Sequence, residues 1–150
     1  MLRKAKIEDV KSIHRLLAYF SEKGELLPRS LSDLYDHLRD YFVASDEDGR
    51  IKGVCALHIC WEGLAEIRSL AVDANSQRKG VGARLVEACL SDAIALGIYE
   101  IFVLTYRPDY FARFGFKETD KSALPHKIWA DCVKCVKFPE CDEVAMVLKL

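Results

Sequence analysis

No stretch of this sequence approaches the roughly 18 consecutive apolar residues that a membrane span requires. The opening residues, Met1 to Lys6, carry charge with no apolar block behind them, so a secretory leader is not expected and the cytoplasm is the default compartment. Neither sign of charge is in excess: 22 Lys and Arg stand against 23 Asp and Glu, a formal net charge of −1. A chain so balanced has no broad cationic field for phosphate polymers or anionic lipid, which argues against nucleic acid and membrane as partners. Internal repeats, low-complexity tracts and Pro-, Gly- or Ser-rich linkers are missing, as are two familiar nucleotide signatures. Counted from Gly80, a dinucleotide fingerprint needs glycine where Leu85 stands, and a Walker-type loop needs Gly-Lys-Ser/Thr. The expected partner is a small molecule, and neither NAD nor ATP is indicated.

What is present describes one ordinary α/β domain. The chain has 150 residues, 51% hydrophobic and 30% charged; a domain of that length hides roughly 68–70% of its unfolded surface. Six cysteines are even in number, but a chain with this core needs no disulfide staples and a reducing compartment keeps thiols. Hydrophobic periodicity predicts a strand over Leu2–Ile7, then a helix capped by Asp9 with Val10, Ile13, Leu17 and Phe20 on one face. Ser30 and Asp33, spaced like a capping box, predict a second helix carrying Leu31, Leu34, Leu38 and Tyr41. Tyr41–Ser45 and Ile51–Trp61 flank Asp46-Glu47-Asp48-Gly49, a hairpin turn, and Leu64–Val72 reads as the next strand. Gly80–Leu96 is the longest helical segment, stopped by Gly97, and the apolar run Ile98–Thr105 reads as a strand parallel to Leu64–Val72. A short helix near Asp109–Phe114 and a terminal strand Val144–Leu150 follow.

The chemistry concentrates in Gln77-Arg78-Lys79-Gly80-Val81-Gly82, between a strand and the long helix. A helix start has backbone N–H groups without intrahelical partners and about half a positive charge, so it attracts phosphate. Glycines let the anion reach the backbone, Arg78 and Lys79 add charge at the rim and Gln77 an amide donor; a plain helix-capping loop is the alternative. On the preceding strand, Glu66 and Arg68 share a face, about 6.8 Å apart along it. They form either a mutual ion pair or a working site, since two charges in an apolar strand are costly to bury without a use.

The hexapeptide resembles the Gln/Arg-x-x-Gly-x-Gly/Ala signature of the GCN5-related N-acetyltransferases (GNAT), and it follows a strand ending Leu70-Ala71-Val72 as in that family. Phe111-Ala112-Arg113-Phe114-Gly115-Phe116 resembles the family's segment after its fifth strand. The resemblance implies a single domain over residues 1–150 with the GNAT fold. That fold is a central mixed, mostly antiparallel twisted sheet, with a parallel pair of strands splayed around acetyl-CoA and helices on both faces. It implies acetyl-CoA as co-substrate, held by Leu70, Ala71, Val72, by the turn Gln77, Arg78, Lys79, Gly80, Val81, Gly82 and Ala83, and by Phe111. Ala65–Val72 resembles the glutamate-bearing strand of the histone acetyltransferases, which implies Glu66 as the base that deprotonates the amine. Many relatives have a tyrosine where this chain has Phe111; the neighbouring Tyr110, with Tyr106 nearby, is the candidate left for protonating the departing thiolate, the alternatives being that both tyrosines are packing aromatics and that solvent supplies the proton.

Within the family, four segments are most similar to the N-acetylglutamate synthases: Leu26-Leu27-Pro28-Arg29-Ser30, Cys55-Ala56-Leu57-His58, Ala65–Val72, and Phe102-Val103-Leu104-Thr105 with Arg107 following. L-glutamate carries two carboxylates, and guanidinium forks match carboxylates bidentately. Arg29 matches the substrate arginine of those enzymes, and Arg68 and Arg107 lie on segments expected beside the acceptor. Two departures stand out. The amino-acid-kinase domain of the long synthases has no counterpart in these residues, so feedback through it is not expected. Their Arg-x-Ser-like segment before the last strand is replaced by Cys141-Asp142-Glu143.

Cys132, Cys135 and Cys141 with His126 allow a structural zinc site or a redox pair, but no second CxxC completes the pattern and ordinary thiols are the favoured reading. His14, His37 and His58 fit packing or rim positions. Oligomeric state is not legible, a homodimer being compatible with the sequence. Two rival readings stay open: an acetyltransferase for another amino acid, a polyamine or a protein amine, and a non-catalytic CoA- or amino-acid-sensing module.

Overall fold

The computed structural model describes residues 1–124 and 143–150. Seven strands run side by side in the order β1-β2-β3-β4-β5-β7-β6: β1 Leu2–Lys4, β2 Tyr41–Ser45, β3 Ile51–Trp61, β4 Leu64–Val72, β5 Glu100–Thr105, β6 Lys117–Thr119 and β7 Val144–Lys149. Their helices are α1 Val10–Glu22, α2 Leu31–Asp36, α3 Val81–Leu96 and α4 Pro108–Ala112. β4 and β5 are neighbours joined through α3, the crossover that makes a parallel pair; the sheet is otherwise antiparallel where its register is described. The chain groups into two compact units, Met1–Leu57 with Ile67–Asp92, and His58–Glu66 with Ala93–Leu150.

In the first unit β3 is apolar on both faces because a helix covers each. Val54 and Ala56 pack with Val43 against Val10, Ile13, Leu17 and Phe20 of α1 and Leu34 of α2. The alternate residues face α3: Gly53 lies under Val81 and Leu85, and the Cys55 thiol hydrogen-bonds with that of Cys89. The Cys89 hydrogen bond and burial hold the Cys55 thiol well above its ordinary pKa, the behaviour of a core residue rather than a nucleophile. Cys55, Cys60 and Cys89 are all buried free thiols. In the second unit Cys60, Leu64, Phe102, Leu124 and Ala145 form the core, with β7 antiparallel to both β5 and β6.

Local chemistry explains where the elements begin and end. The hairpin turn forms as expected, with Gly49 at φ +83° and Asp46 Oδ1 accepting the N–H groups of Asp48 and Arg50 at 2.9 Å each. α3 closes with Gly97 at φ +84°, its N–H on the Ile94 carbonyl and that of Ile98 on Ala93. Because Ile98 is engaged there, and the Tyr99 and Glu100 N–H groups both reach the Gly63 carbonyl, β5 starts two residues later than periodicity predicts. The short second helix, whose apolar stripe was expected to run to Tyr41, stops at Asp36, and a 3-10 turn over Leu38–Asp40 delivers Tyr41 to β2, where it pairs with Ala56. Tyr41 is thus a strand residue, and the sheet outcompetes the helical pattern there. β1 is shorter than expected, since a 3-10 turn begins at Ile7, and α4 starts at Pro108. The three-residue strand β6 was not predicted.

Asp9 corrects a second expectation. Its side chain makes no cap to α1; it accepts Arg3 Nη1 at 2.7 Å and Nη2 at 3.1 Å and the Lys6 N–H at 2.7 Å. The Arg3 hydrogen bond, joined by that of the Lys6 backbone, outweighs burial and holds the Asp9 carboxyl below the usual carboxylate range. A depressed folded-state pKa gives stability that is complete above the ordinary carboxylate pKa and lost as pH falls through the folded value. The Asp9→Asn variant should therefore show a flatter Tm-against-pH curve than the parent between about pH 5 and pH 2, the interval over which a paired carboxylate is protonated. Parallel curves in thermal melts would remove the pair from the acid response.

Candidate active site

The turn between β4 and α3 is built by successive local bonds. Asp73 leaves β4 with its N–H on the Lys52 carbonyl at 2.7 Å, and its carboxylate meets Lys52 Nζ at 3.4 Å. Lys52 also reaches Asp46 at 3.6 Å, tying this turn to the β2–β3 hairpin. A 3-10 turn over Ala74–Ser76 follows, and the side-chain amide of Gln77 folds back to donate to the Val72 carbonyl at 3.0 Å. Gln77 therefore braces the turn through its side chain. Arg78 and Gly80 both take positive φ, +66° and +79°, and a Cβ at Gly80 would meet nothing within 4 Å. The open space beside Gly80 leaves its backbone accessible to a ligand. The Gly80 carbonyl accepts the Arg84 N–H, so the first turn of α3, Val81 to Ala83, directs its N–H groups out of the helix end. Gln77, Arg78, Lys79 and Gly80 are exposed around it. The arrangement is a cationic backbone cradle for an anion.

Gly53 sets how closely α3 approaches the sheet. A Cβ there would stand 2.9 Å from Leu85 Cδ1, 3.0 Å from Val81 Cγ1 and 3.4 Å from the Ala71 carbonyl. Leu85 is fully buried and Val81 opens the helix, so the added methyl pushes on the end that carries the cradle. Gly53→Ala should cost ~1–3 kcal/mol in urea unfolding, typical of overpacking, and weaken anion binding at the turn; unchanged values in both measurements would show that the helix end yields freely.

In the same unit the charges of Arg29, Asp33 and Arg68 all act on Tyr41. Ser30 Oγ caps α2 by accepting the Asp33 N–H at 3.0 Å, which fixes Arg29 just outside the helix and Asp33 inside its first turn. Arg29 Nη1 lies 3.8 Å from Asp33 Oδ2, and His37 Nδ1 lies 3.3 Å from Asp33 Oδ1. Tyr41 is 2% exposed, and its hydroxyl donates to Ser69 Oγ at 3.5 Å. Burial pushes its phenol pKa up; the Ser69 hydrogen bond and the charges of Arg29 and Arg68 pull it down, and Asp33 acts with burial. Arg29 and Arg68, paired from the sequence only by motif, are thus both within electrostatic reach of one phenol. Nε and Nη2 of Arg68 are shielded from solvent. Directly after Arg68, Ser69 has φ +58°, which breaks the strand's two-residue alternation. Tyr41 and Ser69 were missed by the sequence analysis: one reads as a core aromatic, the other as a polar strand residue, and neither carries a motif.

The second unit holds the remaining candidates. Glu66 is half-buried on β4 between the buried Ala65 and Ile67. Arg107 is exposed at the start of α4, its N–H on Thr105 Oγ1 at 2.8 Å. Tyr110 packs edge-on against Phe111 at 5.4 Å and near Phe114 at 5.5 Å, under the Arg113 guanidinium at 5.2 Å. Phe111 is buried against Phe116. The described residues contain no group of three His, Cys, Asp or Glu side chains placed to hold a metal ion. His126, Cys132, Cys135 and Cys141 lie outside the described residues.

Residues 7–116 match the acetyltransferase (GNAT) family. The chain is 42% identical over 149 residues to an uncharacterized N-acetyltransferase of Chlorobaculum tepidum, covering 99% of this chain and 96% of that protein. It is 34% identical over 131 residues to an amino-acid acetyltransferase of Mycobacterium tuberculosis, covering 86% of this chain and 75% of the relative. A crystal structure of N-acetylglutamate synthase from Neisseria gonorrhoeae, complexed with coenzyme A and N-acetyl-glutamate, superimposes with a TM-score of 0.91 at 27% identity. That match covers 100% of this chain and 35% of the synthase, so the chain spans about a third of that structure's length.

Proposed function

Since this chain belongs to the acetyltransferase (GNAT) family, we propose that it moves the acetyl group of acetyl-CoA to the α-amino group of L-glutamate by direct attack. It is an acetyl-CoA-dependent N-acetyltransferase, and its relatives indicate an amino acid as acceptor; glutamate, and with it a place at the head of arginine synthesis, is the finer reading. The observation that carries it is the solvent-shielded Arg68 guanidinium on β4, whose charge, like that of Arg29, acts on the buried Tyr41 phenol. Two fixed forks suit an acceptor with two carboxylates and give a neutral amine nothing to hold.

The diphosphate of coenzyme A would be held by the N–H groups of Val81, Gly82 and Ala83, with Arg78 and Lys79 neutralising its charge and Gln77 keeping the turn in shape. Leu70, Ala71 and Val72 would follow its pantetheine arm, with Phe111 contributing apolar contact. Arg107 is a third cation for the acceptor. Acetyl transfer forms the N–C bond and breaks the C–S bond, so one proton leaves the ammonium and one reaches the thiolate. Glu66 takes the first, directly or through water. Tyr110 supplies the second.

Thiol release from acetyl-CoA, followed with each of the twenty amino acids in turn, tests the assignment. Robust turnover with glutamate alone is expected. Preference for another acceptor removes glutamate, and no thiol release with any amino acid removes the acceptor class.

A further inference from the structure

Consecutive residues of β3, Lys52 and Gly53, touch the two ends of the turn that carries the anion cradle. Lys52 meets the entry: its carbonyl accepts the Asp73 N–H at 2.7 Å, and its Nζ donates to Asp73 Oδ2 at 3.4 Å. Gly53 meets the exit, where Val81 and Leu85 leave no room for a Cβ. The Asp73 carboxylate is used on both oxygens, since Oδ1 accepts the Asn75 N–H at 3.4 Å inside the 3-10 turn. On its other side Lys52 Nζ faces Asp46 Oδ2 at 3.6 Å, and Asp46 is fixed by the Asp48 and Arg50 N–H groups on its Oδ1. The ammonium therefore spans two carboxylates, each anchored to the backbone of a different turn.

Partly exposed ion pairs of this kind add little to global stability. The turn that Lys52 grips, however, contains a strained residue. Arg78 has φ +66°, a conformation that a residue with a Cβ keeps only where its surroundings over-determine it. Gln77 braces the turn from within, through the Val72 carbonyl at 3.0 Å, and Lys52 braces it from the neighbouring strand. With two carboxylates on it, the Lys52 ammonium has no surplus charge to offer a phosphate, so its part is to hold the turn.

We infer that Lys52 is a positioning residue for coenzyme A, acting through Asp73 to keep the β4–α3 turn in the shape that receives the diphosphate; this role rests on the proposed seat of the diphosphate and extends it to a residue outside the turn. A cradle already in shape spares the bound anion the cost of ordering it, so loosening the turn lowers coenzyme affinity and leaves the chemistry of bound coenzyme as it was.

Calorimetric titration of coenzyme A into Lys52→Met, Lys52→Arg, Asp73→Asn and the Lys52→Met/Asp73→Asn double variant tests the role, with thermal melts to check folding. Methionine keeps the stem and removes the charge, and asparagine at 73 keeps an oxygen to cap the 3-10 turn. Each of Lys52→Met and Asp73→Asn should bind coenzyme A about fivefold more weakly, the upper end for a partly exposed pair. The double variant should lose no more than either alone, and Lys52→Arg should keep the parent's affinity. In thiol release with whichever amino acid the parent acetylates, the acetyl-CoA KM of Lys52→Met should rise by the same factor with kcat unmoved. Parent affinity in Lys52→Met, or losses that multiply in the double variant, overturns the inference; where Lys52→Met does not fold, parent affinity in Asp73→Asn does so. An Arg78→Ala/Lys79→Ala variant tells this from failure of the diphosphate assignment. If it binds coenzyme A as tightly as the parent, or the parent binds none, the turn is not the seat of the diphosphate and the role of Lys52 falls with it. Weakened binding there with parent affinity in Lys52→Met overturns the role of Lys52 alone.

Discussion

Glu66→Gln is expected to lower kcat by ~10²–10⁴-fold, the usual contribution of a positioned base, while coenzyme A binds as in the parent. Glutamine keeps the volume and hydrogen-bonding edge of glutamate but has no basic oxygen. Since Ala65 and Ile67 on either side are fully buried, an isosteric change at the half-buried position 66 leaves the strand packed. An ammonium cannot attack a thioester, so without the base the reaction depends on the fraction of acceptor already deprotonated, and the variant's rate should climb steeply with pH. Stopped assays across pH, with coenzyme A affinity measured by calorimetry, separate this from a folding defect. A rate equal to the parent's would assign deprotonation to solvent or to another group.

The second large effect is on the acceptor. Arg29→Ala should raise the glutamate KM by about 10–100-fold, the range for losing one or two charge-assisted hydrogen bonds, with acetyl-CoA KM unchanged. The fold should barely notice: the Arg29–Asp33 pair spans 3.8 Å with both side chains partly exposed, and such pairs contribute ~0–1 kcal/mol. The helix cap is made by Ser30, which stays. Glutamine as a competing acceptor tells which carboxylate Arg29 holds. If the variant loses glutamate and glutamine equally, Arg29 takes the shared α-carboxylate; if it loses only glutamate, Arg29 takes the side-chain carboxylate. Retained glutamate KM would give the contact to other cations.

Much of the geometry of the candidate site was legible because its signals are local. The anion turn depends on Gly80, whose freedom to take φ +79° is a property of one residue, and on a helix that starts where apolar periodicity starts. Arg29 followed from a five-residue motif, and β3 and β4 have the bounds their patterns predict. The signals failed where a side chain had a better partner outside the helix its pattern suggested. Asp9 looks like a cap until Arg3 takes its carboxylate, and Tyr41 continues a helical stripe until it is claimed by a strand partner at Ala56.

Sequence alone determined the class of this protein, since alternating patterns, the Asp46–Gly49 turn and the glycine-bearing helix start each depend on residues close together in the chain. Tertiary structure decided the insertion of β7 between β5 and β6, because periodicity states which face of a strand is buried and not which strand lies beside it. It also decided the pairing of Tyr41 with Ser69, 28 residues apart, and that the charges of Arg29 and Arg68 both act on that phenol. A strained φ and a hydrogen bond across strands exist only once the surrounding packing holds them, so no local pattern in the chain encodes them.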